Sequence, residues 1–417
     1  MDVREGEGGG LVRAFLYFFT LLYGYYLLRP VREEMGIRGD VTKLHWLFNA
    51  TFVVMLVAVP IYSTLVARVP RRQAVPWVYR FFVLNLLAYW ALARAGIGVV
   101  WMARAFYVWV SVYNLFVVSV FWSLLADVFT PGQGKRLFGF VSAGGTAGAL
   151  LGSATVAWLS AHLGVGKLVL LSAASLEIAA QCASGLSRWG QRAPAPGEEA
   201  IPKREGGALG GSAWAGFTAV VRSRYLLGVA LQIVLFSVGS TFLYLNLVRT
   251  VAGAFPDTAS RLALFAKVDL AVNVLALAMG SLATGRFIAA TGLAGALAAV
   301  PALTAVGYGI AALSPGVWTL GVFQTVRRAL HFGVDRPARE VLFTVVPRED
   351  KYKAKSFVDT FVYRGSDAMS SSMHAGLAAL GLAIPALSIA AIPFALASLA
   401  LALWLARRER SLEEQRK

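Results

Sequence analysis

Long apolar blocks, rather than alternating or one-faced stripes, run along the 417 residues of this chain. Each is near the ~20 residues that a helix needs to cross a bilayer core. They fall near residues 11–34, 44–67, 74–94, 98–126, 136–161 and 165–187, then 222–249, 260–284, 290–313, 316–343, 356–380 and 384–406. Blocks of this length, cut by Gly, Pro and charged turns, predict an all-α polytopic membrane protein with about twelve transmembrane helices.

One long polar stretch, Ser187 to Ser212, divides the blocks into two sets of six. It is rich in Gly, Pro, Arg, Lys and Glu and reads as a flexible linker. The expected organisation is an N-terminal bundle over 1–187, a cytoplasmic linker over 188–221 and a C-terminal bundle over 222–417. The two halves echo each other. Tyr25-Tyr26-Leu27-Leu28-Arg29-Pro30-Val31-Arg32-Glu33-Glu34 returns in outline as Tyr244-Leu245-Asn246-Leu247-Val248-Arg249. Pro131 and Lys135 in the first half match Pro347 and Lys351 in the second, each pair just before a helix. Two pseudo-symmetric six-helix bundles in parallel repeat are the architecture of major facilitator transporters, which place their site near the midplane.

Charge orients the chain. The basic loops around Arg68–Arg72, Lys135-Arg136, Arg188–Arg204, Arg286, Arg348–Lys355 and Arg407–Arg410 fall on one side of the scheme. The positive-inside rule makes that side cytoplasmic, with both termini there, as in a bacterial inner-membrane protein. Arg13 precedes an apolar run without a small-residue cleavage site, so the first block is expected to be a retained helix.

Composition narrows the function. Apolar residues make up 58% of the chain and charged ones 15%, which leaves too little polar surface for a soluble protein of this length. The net charge of +17 belongs to the loops rather than to a nucleic-acid module, so no nucleic-acid partner is expected. The single cysteine, Cys182, allows no internal disulfide, and the four histidines (His45, His162, His331, His374) lack metal-ligand spacing. Gly132-Gln133-Gly134-Lys135-Arg136 lacks the pattern of a phosphate-binding Walker loop. No nucleophile–base set stands out. The expectation is a non-enzyme without cofactor or metal.

The candidate residues are charges that the apolar blocks would have to bury. Arg29 and Arg32, three apart, share a helix face and could bind an anion; the alternative is snorkelling to the interface beside Glu33 and Glu34 as solvated partners. Tyr25 and Tyr26 could stack on a base or ring, and Arg249 would be the second-half cation. Gly144, Gly148 and Gly152 form a ridge that lets another helix approach closely, and Ala368, Ser372 and Gly376 a similar one. The densest polar series holds Arg327, Arg328, His331, Asp335, Arg336, Arg339 and Glu340. Lys351, Lys353, Lys355, Asp359, Arg364 and Asp367 follow it. Arg327, His331 and Asp335 share a stripe. Lys351, Lys353 and Lys355 read as cytoplasmic surface charge, while Asp359, Arg364 and Asp367 are intramembrane candidates, with an Asp359–Arg364 lock as the structural alternative. Lys267, Asp269 and Glu177 are further buried-looking ions, Glu177 without an obvious local partner. Asp269, Asp359, Arg364 and Glu177 are the candidate coupling or gating groups.

Several motifs together resemble the nucleotide transporters typified by the ATP/ADP translocases of plastids and obligate intracellular bacteria. They are Leu28-Arg29-Pro30-Val31-Arg32-Glu33, Trp122 followed by Lys135-Arg136-Leu137-Phe138, Asn246-Leu247-Val248, and Arg339-Glu340-Val341-Leu342-Phe343. The last continues to Lys351-Tyr352-Lys353-Ala354-Lys355-Ser356-Phe357-Val358-Asp359 and Arg364-Gly365. The resemblance implies that Arg32 stands at a functional lysine of the family, and one of Lys351, Lys353 or Lys355 at another. Asn246 is a further candidate substrate contact. Two departures bear on cargo. Arg249 stands where the family has a glutamate, and Ser111-Val112-Tyr113-Asn114 offers no acid where the family has one before the tryptophan. Replacing a carboxylate by a guanidinium inverts the local field.

The leading expectation is a transporter of a nucleotide or related phosphorylated anion, working by alternating access and exchange. Arg29, Arg32 and Arg249 would be anion donors, with Asn114 a neutral contact. The alternative is a proton-coupled symporter or efflux carrier for a non-nucleotide organic anion. A third reading is a non-transporting scaffold or lipid-handling protein. The partners expected are a small anion and the bilayer, and the working form a monomer.

Overall fold

The computed structural model describes residues 3, 4, 6–68, 71–190 and 213–415. Among them every regular element is helical and there is no strand. The chain is an all-α polytopic membrane protein with a major-facilitator-like fold. Its elements are α1 (Gly8–Arg38), α2 (Leu44–Arg68), α3 (Arg71–Ala95), α4 (Val99–Val128), α5 (Pro131–Trp189), α6 (Ala213–Arg222) and α7 (Arg224–Ala254). They continue with α8 (Thr258–Ala278), α9 (Thr284–Leu313), α10 (Val317–Leu330), α11 (Arg336–Val341), α12 (Arg348–Phe357), α13 (Tyr363–Ala379) and α14 (Ile384–Glu414). Wide π-type turns at Met279–Ala283, His331–Asp335 and Val358–Val362 join α8 to α9, α10 to α11 and α12 to α13.

Eight stretches among the described residues are long and apolar enough to cross a membrane. Two of them, of 59 and 56 residues, are each far longer than one crossing needs. Both break at a glycine with positive φ, Gly164 (64°) in α5 and Gly292 (68°) in α9. Only glycine takes that conformation without a Cβ penalty, so each break sits where the sequence supplies one. The eighth and ninth expected spans therefore meet at Gly292 rather than before residue 290. The charged tenth and eleventh expected spans are not among the eight; they are the bent pairs α10–α11 and α12–α13.

The chain forms two compact units. The first comprises the described residues of Met1–Asp40, Val53–Gly207 and Asp257–Leu270; the second those of Val41–Phe52, Ala208–Pro256 and Ala271–Lys417. Most of the linker expected over 188–221 lies outside the described residues. Its final part is helix α6, where a Cβ on Gly216 would come within 2.7 Å of the Lys353 carbonyl on α12.

In the first unit α1 lies against α5. A Cβ added to Gly144, Gly148 or Gly152 would come within 2.6, 2.1 and 2.7 Å of the carbonyls of Phe15, Phe19 and Tyr23. The glycine ridge read from the sequence is thus the face that admits the α1 backbone. The far half of α5 grips the same helix through Ser172 and Ser175, whose hydroxyls donate to the carbonyls of Gly24 (2.9 Å) and Thr20 (2.6 Å). The second ridge behaves differently. Gly376 has open space beside it, and Ser372 accepts a hydrogen bond from Asn49 at 2.9 Å. Ala368, Ser372 and Gly376 therefore do not form a close-packing stripe.

The start of α5 is fixed by a capping box between Thr130 and Gln133, with Pro131 in the first turn. Buried Glu7 docks there, accepting from Arg136 Nη2 at 2.8 Å, from Gln133 Nε2 at 3.2 Å and from the Arg4 amide at 2.9 Å. Burial pushes the Glu7 carboxyl up; the Arg136 hydrogen bond and these other donors outweigh it and leave it below the usual carboxylate range. Trp189 at the other end of α5 donates to the Gly6 carbonyl, so both ends of that helix meet the N-terminal segment.

Candidate functional site

Helix α1 continues without interruption through Arg29, Pro30 and Arg32 to Arg38, so the charged run is not a loop. Pro30 has no amide proton and leaves the Tyr26 carbonyl without its helical donor. Arg29 Nη1 lies 3.2 Å from Asp269 Oδ1 on α8, and its guanidinium is 5.7 Å from the Tyr26 ring. Tyr25 and Tyr26 meet edge to face at 5.4 Å. Arg32 pairs with Glu33 at 2.9 Å, reaches the Ser111 hydroxyl of α4 at 3.4 Å and lies 4.8 Å over the Tyr107 ring. The two arginine side chains are one-fifth exposed (20% and 21%), which leaves both within reach of a small ligand.

These pairings change the expected electrostatics. Two guanidinium groups sit with two carboxylates, so the first-unit site is locally balanced rather than cationic. A buried charge without a partner is too costly to keep, and Asp269 and Glu33 supply the partners. An arriving anion would have to displace one of them. Asn114 lies one turn beyond Ser111, half-buried and without a side-chain hydrogen bond among the described residues.

Glu34 is not a solvated partner of the arginines. It is fully buried and accepts from Arg261 Nε (2.6 Å), Arg261 Nη2 (2.8 Å), Arg38 Nε (2.9 Å) and the Thr258 hydroxyl (2.9 Å). The link ties the end of α1 to the start of α8. Asp257 caps that start through the Ser260 amide at 2.7 Å, and this bond holds the Asp257 carboxyl below its usual range.

In the second unit Asn246 is fully buried and consumed by neighbours. Its carbonyl oxygen accepts from His374 Nε2 at 2.9 Å, and its amide reaches Ser388 at 3.4 Å. It braces α7 against α13 and α14 and has no free group for cargo, against the substrate contact expected of it. Arg249, one turn on, is half-buried and has no hydrogen bond or ion pair among the described residues. It lines a cavity of about 460 Å³ with Thr250, Pro315, Ile384 and Leu387.

The bent helix α10–α11 holds the buried charges that no candidate site included. Arg327 is almost fully buried, donating to the Thr304 hydroxyl at 2.9 Å and the Phe236 carbonyl at 3.1 Å. One turn on, His331 Nδ1 lies 2.8 Å from Asp335 Oδ2, and Arg339 Nε lies 3.1 Å from the same oxygen. The spacing by four was visible in the sequence. The burial of Arg327, His331 and Asp335, and the π-type turn that carries the last two, were not.

The remaining candidates scatter. Glu177 does have a partner, Arg80 of α3, at 3.4 Å. The Asp359–Arg364 lock does not form: Asp359 is exposed, and Arg364 lies 3.7 Å from Asp367, which accepts from Ser237 at 2.5 Å. Lys351, Lys353 and Lys355 are half-buried on α12, a helix rather than a surface loop, and Lys355 meets Glu340 at 2.5 Å. Lys267 is exposed. No group of three His, Cys, Asp or Glu that could hold a metal exists among the described residues.

No family model matches this sequence, and no curated protein matches it. Its fold does have counterparts among solved structures. A bacterial homologue of the iron transporter ferroportin, inward-facing, is similar with a TM-score of 0.67 and 12% identity, over 97% of this chain and 100% of that one. The POT family transporter PepTSo gives 0.65 and 13%, over 97% and 98%. A bacterial homologue of the human lysosomal transporter Spinster gives 0.62 and 12%, over 99% of each chain. At such identity the likeness is one of fold.

Proposed function

We propose that this chain is a secondary active transporter that moves a nucleotide or related phosphorylated anion across the inner membrane by alternating access, as an exchanger. The observation that carries the reading is Arg32, a guanidinium inside a membrane helix, partly exposed and laid over the Tyr107 ring. Intramembrane arginines mark substrate paths by default, and a guanidinium fork fits phosphate oxygens. Arg29 is the second donor of the first unit, freed when the anion takes the place of Asp269. Tyr25 and Tyr26 offer ring faces and Asn114 an unpaired amide. In the second unit Arg249 is the cation of the cavity beside Pro315, and Lys351 and Lys353 are cations of a separate place, on α12. The fold shared with structures named as transporters supports transport without naming the cargo. The protein acts as a monomer, with no enzymatic step and no cofactor.

The test is thermal stability in detergent against nucleotides, other phosphorylated metabolites and unphosphorylated organic anions. A ligand at a hundred times its dissociation constant stabilises the folded state by ~2.7 kcal/mol. Nucleotides should raise the melting temperature of the wild type and not of Arg32→Ala, each measured against its own unliganded melting point, which in the variant is lowered by the loss of the Glu33 pair. An undiminished shift in Arg32→Ala would remove this residue from the site, and a shift with unphosphorylated anions alone would discard the cargo.

A second reading is favoured by the Arg29–Asp269 pair. A proton on Asp269 would release Arg29 as an anion does, which suits a proton-coupled carrier of a non-nucleotide organic anion. Uptake that needs a pH gradient and no counter-substrate would select it.

A further inference from the structure

His331, Asp335 and Arg339 share one hydrogen-bonded arrangement that restricts where a proton can go. Asp335 Oδ2 takes His331 Nδ1 at 2.8 Å and Arg339 Nε at 3.1 Å, and a carboxylate oxygen only accepts. His331 Nδ1 therefore carries the ring proton, and Nε2 is left as an acceptor. Arg339 Nη2 stands 3.4 Å from that Nε2 and 3.3 Å from Nδ1. A second proton on the ring would put two positive charges in contact, with one carboxylate to serve both.

The neighbours decide which of the three groups can yield. Arg327 presses a further positive charge on the site and is pinned by Thr304 and the Phe236 carbonyl. It is almost fully buried and cannot leave. Helix α7 contributes the Phe236 ring, 4.4 Å from the His331 ring, and α9 contributes Thr284, whose hydroxyl donates to the Gly333 carbonyl at 2.6 Å. From α13, Tyr363 faces the Arg327 and Arg339 charges, beside Arg364 and Asp367. Asp335 is 3% exposed, whereas the Arg339 side chain is 14% exposed and rests on the face of Phe236 at 5.1 Å. Arg339 is the member with room to move.

We propose that these three residues form a proton-binding site, distinct from the candidate anion residues, in which a proton on His331 Nε2 replaces Arg339 as the counter-charge of Asp335. The exchange balances. The proton comes from hydronium, which leaves water; imidazole becomes imidazolium hydrogen-bonded to the same carboxylate, and the guanidinium is released with its charge intact. A released arginine on a membrane helix is an anion receptor, so proton uptake at His331 creates an anion site in the second unit. The π-type turn that carries His331 and Asp335 is a feature frequent at functional sites. This inference goes beyond the transport reading and holds for any cargo.

The experiment titrates the full-length protein in nanodiscs, with histidines labelled with nitrogen-15 and His331 identified by the signals lost in His331→Gln. No cargo is needed, so its outcome is independent of what the protein carries. At neutral pH the wild-type ring should show the Nδ1–H tautomer. In Arg339→Gln it should take its second proton at a pH higher by about one unit or more, a tenfold gain in proton affinity. Arg339→Lys, which keeps the charge and guards against a folding artefact, should stay within half that shift. An Nε2–H tautomer in the wild type, or the same titration in wild type and Arg339→Gln, would overturn the proposal.

Discussion

Glu34 shows how much a single side chain can conceal from its sequence. Beside Arg29 and Arg32 it reads as a solvated counter-ion, yet its partners are Arg38 and Arg261, the latter 227 positions away. No periodicity links residues so far apart, and the same is true of Arg29 with Asp269. The residue types were legible because charges inside apolar blocks are conspicuous. Their pairing was not, because pairing belongs to the folded chain. The physical consequence is an asymmetry between breaking the pair and replacing it. Removing one member of a buried ion pair costs ~3–5 kcal/mol, since the other charge stays buried, whereas replacing both with apolar groups can be nearly neutral. Glu34→Ala should therefore lower the melting temperature in detergent sharply. Glu34→Met combined with Arg261→Met should recover most of that loss. A double variant as unstable as the single one would mean that Glu34 stabilises the fold through Arg38 and Thr258 instead.

Helix spacing carried the sequence reading furthest where the partner is a backbone. Gly144, Gly148 and Gly152 recur every four residues, and each faces a carbonyl of α1 four residues further along, at Phe15, Phe19 and Tyr23. The second stripe had the same look, but Gly376 faces open space. Small residues permit a close approach without requiring one. The three π-type turns were illegible for another reason: a widened turn keeps ordinary helix-forming residues and has no composition of its own. The two glycines make a controlled comparison. A Cβ at Gly148 would lie 2.1 Å from the Phe19 carbonyl, so Gly148→Ala must push α1 and α5 apart. Overpacking of this kind costs ~1–3 kcal/mol, while Gly→Ala in an unobstructed helix gains roughly 0.5–1 kcal/mol. Gly148→Ala should thus melt below the wild type and Gly376→Ala at or above it. Equal behaviour of the two would show that the α1–α5 interface gives way without cost.

At the scale of the whole molecule the sequence reading rests on charge asymmetry, and each unit adds contacts that bear on it. In the first, Glu7 joins Arg136, and Trp189 reaches Gly6, so the N-terminal segment, the start of α5 and its far end share one end of the bundle. In the second, Tyr225 donates to the Leu342 carbonyl and Lys355 meets Glu340, gathering the start of α7 with the α11–α12 turn. Arg136 and Lys355 mark these ends as basic, and the positive-inside rule predicts that they face the cytoplasm. Four exposed positions test the assignment in a Cys182→Ser background: Lys135→Cys and Arg408→Cys on the basic side, His162→Cys and Ser314→Cys at the opposite turns. In intact bacterial cells a membrane-impermeant maleimide should label His162→Cys and Ser314→Cys. Lys135→Cys and Arg408→Cys should react only after permeabilisation. Because one position of each kind lies in each unit, the outcomes separate. Reversed labelling at all four would turn the whole chain over, and with it the direction in which Arg29 and Arg32 meet their anion. Reversal in one unit alone would break the parallel repeat, leaving the resemblance of Tyr25–Arg32 to Tyr244–Arg249 without a structural meaning.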